Sequence, residues 1–403
     1  MGTDSLHEST RRNLRAASLR EGHLGSLMSI LTPMAGQDLK HALSNNGTMG
    51  LGYALFIRPF LAVMDSEKAH KRAILGLKLA SFTAIGRMFL RLLYKPRKLE
   101  SEAFGLKFSN PLGLAAGMDK KADAMQGWEN LGFGFIEIGG VTQHEQQGNP
   151  KPRMFRSAKH KALINRMGFN NPGSKKMASH LSETKKPNIP VFLNVGKSKI
   201  TSLKDAHLDY AKTVEVCGPY VDGFVINVSS PNTPNLRELQ KDEDLARIIK
   251  SVKTHSGKKP VLVKIAPDLE DAQIKSIVNT ARDLDCAGII ATNTTLSRPD
   301  NSHPMSEQGG LSGKPLRDRS TEVIRLIADH TNGDWLIIGV GGISSAEDAW
   351  EKITNGATLI QIYSSLVFSG ASAIKSIVNG LEKKLKSKGL TRIQDAVGLA
   401  RRV

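Results

Sequence analysis

After Asn110 the chain falls into a rhythm of eight short apolar runs, each followed by a longer amphipathic stretch. The runs are LGLAAG (112–117), FIEIGG (135–140), VFLNVG (191–196), GFVINVS (223–229), VLVKIA (261–266), GIIATN (288–293), LIIGVGG (336–342) and TLIQIYS (358–364). Each is too short for a helix and rich in Ile, Val and Leu without polar alternation, as parallel strands buried on both faces must be. Between them, DEDLARIIKSVKTH and EDAQIKSIVNTARDL carry apolar residues at helical spacing; Leu245, Ile248, Ile249 and Val252 share one face of the first. Strand then helix, eight times, predicts the α/β class and a (β/α)8 TIM barrel. A doubly wound open sheet competes, but it usually carries GxGxxG after its first strand, and none stands there.

The rest of the composition narrows the chemistry. Cys217 and Cys286 lie far apart with no CxxC, and eleven histidines form no HExxH, so no metal site or iron–sulfur cluster is expected. A net charge of +18 invites nucleic acid, yet Lys and Arg are scattered without aromatic interleaving or finger spacing, and no nucleic-acid partner is expected. Residues 1–100 hold fifteen Lys or Arg against seven Asp or Glu, a bias that suits an anionic membrane surface equally well.

Three regions follow. Residues 1–47 read as a disordered leader, a targeting remnant or an expression scar. In 48–94, Met49, Tyr53, Phe56, Phe60 and Val63 fall at helical spacing, as do Ala73, Leu77, Ala80, Ala84 and Met88. They predict a small two-helix extension joined near Asp65, a plausible N-cap. No run there approaches the ~20 apolar residues of a membrane span; Arg58 and Pro59 interrupt the longest. The apolar faces either cap the bottom of the barrel or meet lipid, beside Arg58, Lys71, Arg72, Arg87 and Arg91. Residues 95–403 are the barrel, and the roughly 50 residues between its second and third strands exceed one crossover and predict an elaborated loop over one face.

Working residues of such barrels sit at the C-terminal strand ends. Here these carry Gly117 to Lys120, Gly140, Asn194, Asn227, Ser229 and Ser230, Lys264, Thr292 to Thr294, Gly341 and Gly342, Tyr363 and Ser364. Lys264 is the one charge inside VLVKIA and needs an anionic partner, either a ligand or a barrel carboxylate such as Glu137. The glycines after the seventh strand, with Gly309, Gly310 and Gly313, let backbone N–H groups approach a phosphate. Asn165, Asn194, Asn227, Asn232 and Asn293 would suit a neutral, planar, amide-bearing ligand.

With NPLGLAAGMDK, GNPKPRMFR, INRMGFNN, NVSSPNTPNLR, VLVKIAPDL, ATNTT, GGLSGKPL and GVGGISS together, the chain resembles the class 2, membrane-associated dihydroorotate dehydrogenases from about Phe56 onward. The resemblance implies an FMN-containing barrel that oxidises dihydroorotate to orotate in pyrimidine synthesis and passes electrons to a ubiquinone-type quinone. It implies Ser230 as the base taking the C5 proton while hydride leaves C6 for flavin N5, helped by Thr233 and a lid including Phe169. Lys264 matches the lysine beside the flavin. Substrate would be held by Lys120, Asn165, Gly168, Phe169, Asn227, Ser230, Asn232, Asn293 and Thr294. The FMN cradle would be Ala115, Ala116, Gly117, Gly140, Asn194, Asn227, Lys264, Thr292, Gly313, Gly342, Tyr363 and Ser364, with Arg156 and Tyr363 at the quinone site.

Two residues depart from the family pattern: Gly140 stands where Ser or Thr is common, and Met167 replaces a common tyrosine. Serine at 230, the helical extension and the lack of cluster cysteines mark class 2. The family places such an enzyme on the inner mitochondrial membrane, with a bacterial inner membrane as the alternative and no obligate protein partner inferred. The rival readings are a flavin barrel that reduces uridine in RNA, whose expected base is cysteine, and a catalytically silent FMN scaffold.

Overall fold

The structure, a computed structural model, describes residue 50, residue 53 and residues 57–401; the expected leader, with Met49 and Phe56, lies outside the described residues. All eight apolar runs are strands of one closed parallel barrel: β1 (Leu112–Leu114), β2 (Phe135–Val141), β3 (Val191–Val195), β4 (Gly223–Asn227), β5 (Val261–Ile265), β6 (Gly288–Ala291), β7 (Leu336–Val340) and β8 (Leu359–Ile362). Closure comes from β8 on β1, where Ile360 pairs Leu112 and Ile362 pairs Leu114. The strands β3 to β6 are buried at every position, which is why their sequences show no alternation. The helix Asp242–Ser256 buries the expected Leu245, Ile248, Ile249 and Val252.

The bottom of the barrel is closed by an antiparallel hairpin, Ser101–Ala103 with Leu106–Phe108, not by the N-terminal helices. Phe108 packs edge-on against Phe135 at 5.4 Å and Phe104 against Phe192 at 6.1 Å. These rings start β2 and β3, so the plug fills the N-terminal end, each buried Phe contributing about 1.5–3 kcal/mol. That overturns the reading of the extension as a bottom cap.

The extension has three helical pieces, α1 (Arg58–Ala62), α2 (Ser66–Phe82) and α3 (Ala84–Tyr94). Asp65 caps α2 as expected, accepting from the Lys68 N–H at 3.0 Å. The single helix expected beyond it is broken by a 113° bend. Thr83 leaves helical geometry and accepts from the Gly86 N–H at 3.0 Å, starting α3. Arg87 then donates to the Ser81 and Phe82 carbonyls that α2 leaves open. Both helices lean on the barrel helix α4 (Met125–Leu131). A Cβ at Gly127 would stand 2.5 Å from Leu77 Cγ, so only glycine admits that approach. No single helix among the described residues is long and apolar enough to cross a membrane.

The expected elaborated loop is present. Met154–Ser157 and Ala162–Asn165 join Gly310–Gly313 in a three-stranded antiparallel sheet over the mouth.

Candidate active site

A cleft of about 1050 Å³ lies at the C-terminal strand ends. It is lined by Ala115, Ala116, Gly117, Lys120, Gly140, Asn165, Gly168, Phe169, Asn194, Asn227, Ser230, Asn232, Lys264, Thr292, Asn293, Thr294, Gly313, Gly342, Tyr363 and Ser364. The structure thus brings nearly the whole expected set together. Thr233 is buried near this loop but does not line the cleft, and Arg156 belongs to a second cavity.

The floor is organised by Glu137, which is fully buried. Asn194 Nδ2 donates to Glu137 Oε1 at 2.6 Å, Gln361 Nε2 to Oε2 at 2.8 Å, and Lys264 Nζ stands 3.5 Å from Oε1. The barrel carboxylate is therefore the partner Lys264 required, and it holds an ammonium at the floor of the cleft. Gln361 was not foreseen, although a lone amide inside TLIQIYS was a signal of the same kind as Lys264.

From Asn194 a belt of amides crosses the mouth. Asn227 Nδ2 donates to Asn194 Oδ1 at 2.9 Å, and Asn293 Nδ2 donates to Asn227 Oδ1 at 3.2 Å and Ser229 Oγ at 3.0 Å. Tyr210 fixes the strand end from below, its hydroxyl donating to the Asn227 carbonyl at 2.9 Å. On the facing side Asn232 Nδ2 donates to Asn165 Oδ1 at 3.2 Å. Ser230 Oγ accepts from the Asn232 N–H at 3.3 Å, and Lys120 Nζ donates to Asn170 Oδ1 at 2.6 Å. Burial, with the positive charge of Arg153, pulls the Lys120 ammonium down to about 7, while Glu67 works in the opposite direction.

Gly140 has a structural use. A Cβ there would meet Phe169 and Asn194 Oδ1 at 2.8 Å, so the missing side chain makes room for the Phe169 ring. Phe169 holds a positive φ of 48°, and its ring also lies against Gly196.

The cleft fits a phosphorylated, hydrogen-bonding planar group. Among the described residues no donor reaches the buried Gln361 Oε1, an acceptor that suits a ligand N–H. At the far end Gly341 and Gly342 have φ of 129° and 71°, and a Cβ on Gly342 would meet Arg317 Cα at 2.5 Å. Glycine there leaves the backbone bare toward a phosphate. Asp348 stiffens the loop by accepting from the Ser344 and Ser345 N–H groups at 2.9 and 3.0 Å. Among the described residues no three His, Cys, Asp or Glu side chains cluster to hold a metal.

The second cavity, of about 1840 Å³, lies between the extension and the barrel. Its walls are mostly apolar, including Leu61, Ala69, Leu77, Trp128, Leu366 and Phe368. Arg156 enters it, donating to the Leu61, Ala62 and Met64 carbonyls at 3.2, 2.8 and 3.3 Å. His70 is pushed down to about 4, first by burial, and so is neutral there. Tyr363 lines both cavities, its phenol pushed up to about 12 by burial.

Comparison with known proteins agrees with this geometry. The family model described as Dihydroorotate dehydrogenase matches residues 98–385. The chain is 46% identical over 367 residues to a Nostoc punctiforme protein named dihydroorotate dehydrogenase (quinone), covering 86% of this chain and 98% of that one. It is 44% identical over 351 residues to a Mycobacterium tuberculosis protein of the same name, covering 86% and 98%. A crystal structure of DHODH in complex with ferulenol from Eimeria tenella superposes with a TM-score of 0.77 at 34% identity, covering 84% of this chain and 96% of that one.

Proposed function

The chain belongs to the dihydroorotate dehydrogenase family, in its class 2, quinone-dependent branch, and from that premise we propose that it oxidises dihydroorotate to orotate and delivers the electrons to a quinone, in pyrimidine synthesis. The family is flavin-dependent; FMN is the form proposed here, because the bare glycine loop and the unpaired Gln361 acceptor fit one phosphate and one planar ring. The observation that carries the reading is the meeting of a polar and an apolar cavity at Tyr363.

A flavin bound there would supply a two-electron acceptor for the hydride leaving C6 of dihydroorotate and a donor of those electrons to quinone. Ala115, Ala116, Gly117, Asn194, Thr292, Gly313, Gly342 and Ser364 would hold it. The protein's own part begins with Lys120, whose ammonium receives the substrate carboxylate. Asn165, Asn227, Asn232 and Asn293 present donors and acceptors to the two amide edges of the ring. Ser230 Oγ takes the C5 proton as its own hydroxyl proton passes, by way of the Thr233 hydroxyl, to bulk solvent. Among the described residues no His or carboxylate bonds to it, so its basicity depends on exclusion of water by Phe169 and the loop Pro231–Pro234, and on the N–H of Asn232 that would steady the alkoxide. Thr233 Oγ1, buried and without a hydrogen-bond partner among the described residues, is a second hydroxyl available to that proton transfer. Lys264 favours negative charge gathering above the floor, and Glu137 keeps its ammonium in place.

Quinone would enter the apolar cavity toward Arg156 and Tyr363. The outer surface of α2 and α3 exposes Phe82, Ile85, Met88, Phe89, Leu92 and Leu93. With Lys71, Arg72, Arg87 and Arg91 on the same two helices, it suits docking on an anionic lipid surface without crossing it. The curated relatives above are bacterial, so a bacterial inner membrane is favoured and the mitochondrial assignment expected from the resemblance has no support from them. The apolar cavity and serine at 230 argue against the RNA-reducing and scaffold readings. Anaerobic mixing of Ser230→Ala with dihydroorotate tests the chemistry: bound flavin should persist and fail to bleach, and bleaching at the wild-type rate would refute the assignment.

A further inference from the structure

Helix α2 works with two faces. Ser66, Ala69, His70 and Ala73 line the apolar cavity, whereas Glu67 turns toward the barrel and is 5% exposed. Arg153 meets it with two parallel bonds, Nε to Oε2 at 3.0 Å and Nη2 to Oε1 at 2.9 Å. The third arm of the guanidinium, Nη1, donates to the carbonyls of Gln147 and Asn149 at 2.7 and 2.8 Å. Asn149 Nδ2 then donates to the Arg166 and Asn232 carbonyls at 3.0 and 3.1 Å. A continuous line of bonds therefore joins the first turn of α2 to both sides of the Asn165–Asn232 edge, with Glu67 and Arg153 separated by 86 positions in sequence.

A buried ion pair is a poor way to gain stability alone, since apolar groups of like volume serve as well or better. Here the charge has a second reach. Among the described residues, the positive charges of Arg153 and Lys71 oppose the Lys120 ammonium, Glu67 favours it, Asn170 accepts its bond, and His70 beside it is neutral.

We propose that Glu67 and Arg153 are positioning residues for the substrate half-reaction, holding the Asn165–Asn232 edge through Asn149 and tying it to the helix that walls the apolar cavity. The proposal rests on the reading that dihydroorotate occupies the polar cleft. Removing the Glu67 charge also lowers the Lys120 pKa further, so the form that binds a carboxylate is lost at lower pH.

The test uses the flavin-loaded protein in anaerobic stopped flow, following bleaching against dihydroorotate concentration from about pH 6 to about pH 9, with reoxidation by quinone measured separately. Glu67→Gln should raise the half-saturating dihydroorotate concentration about tenfold, and its climb with pH should begin at lower pH than in wild type. Limiting reoxidation by quinone should stay within about twofold. Glu67→Asp should recover most of the loss. Asn149→Ala, which keeps the ion pair and removes only the bridge, should raise half-saturation without moving the pH profile, and it keeps the proposal testable if Glu67→Gln folds poorly. Unchanged half-saturation in Glu67→Gln and Asn149→Ala, or an equal loss in the quinone step, would overturn the proposal. A wild-type protein that does not bleach would instead overturn the functional reading beneath it.

Discussion

The cleft at the strand ends and the cavity beneath the helices both contain Tyr363, yet they are built by different physics. The first is walled by amides and hydroxyls that bond one another from Glu137 to Asn293, fixed along the barrel strands or just past their ends. The second is a space between apolar side chains, with direction supplied chiefly by Arg156 and His70 at its edge. A bonded wall specifies atoms, and a packed wall specifies volume. The polar cleft should therefore fail to single-atom changes and the apolar cavity to changes in bulk.

Ser230→Ala is the sharpest single-atom change. It should slow flavin bleaching by dihydroorotate about 10²- to 10⁴-fold while reoxidation of chemically reduced enzyme by quinone proceeds as before. Lys264→Met should come next, because it leaves Glu137 buried without its cation, at a cost of about 3–5 kcal/mol in denaturant unfolding. Adding Glu137→Gln should restore most of that stability without restoring turnover, which separates the fold role of the pair from its charge role. Bulk is the lever on the other side. Ala73→Trp should raise the quinone KM about tenfold and leave bleaching untouched; equal loss in both steps would erase the distinction between the cavities. Phe82→Asp or Leu92→Asp should each weaken binding to anionic vesicles about 10- to 100-fold, from roughly 1.5–3 kcal/mol of burial forgone, with both half-reactions in detergent unchanged. Thr83→Ala is the smallest, about 1 kcal/mol in thermal unfolding, from loss of the cap that starts α3.

The barrel was legible because burial on both faces writes itself into uninterrupted Ile, Val and Leu runs, and the site was legible because parallel barrels place chemistry where those runs end. Lys264 announced itself as a charge within such a run, and Glu137 answered it. What stayed hidden was long-range or masked by period. Ala80, Ala84 and Met88 keep helical spacing through the bend, so periodicity carried one helix across Thr83 although Thr83 and Gly86 held the cap. The hairpin from Ser101 to Phe108 is too short to show a pattern, and its role as the plug follows only once β2 and β3 bring Phe135 and Phe192 under it. The pairing of Glu67 with Arg153 needs the tertiary fold, since nothing local in either segment points to the other.

Sequential anaerobic mixing of the wild-type, flavin-loaded protein tests the two-cavity account most directly. Dihydroorotate should bleach the visible absorption band of the oxidised flavin, a membrane quinone should then restore it, and fumarate should leave it bleached. No bleaching despite bound flavin, or restoration by fumarate in place of quinone, would contradict the account.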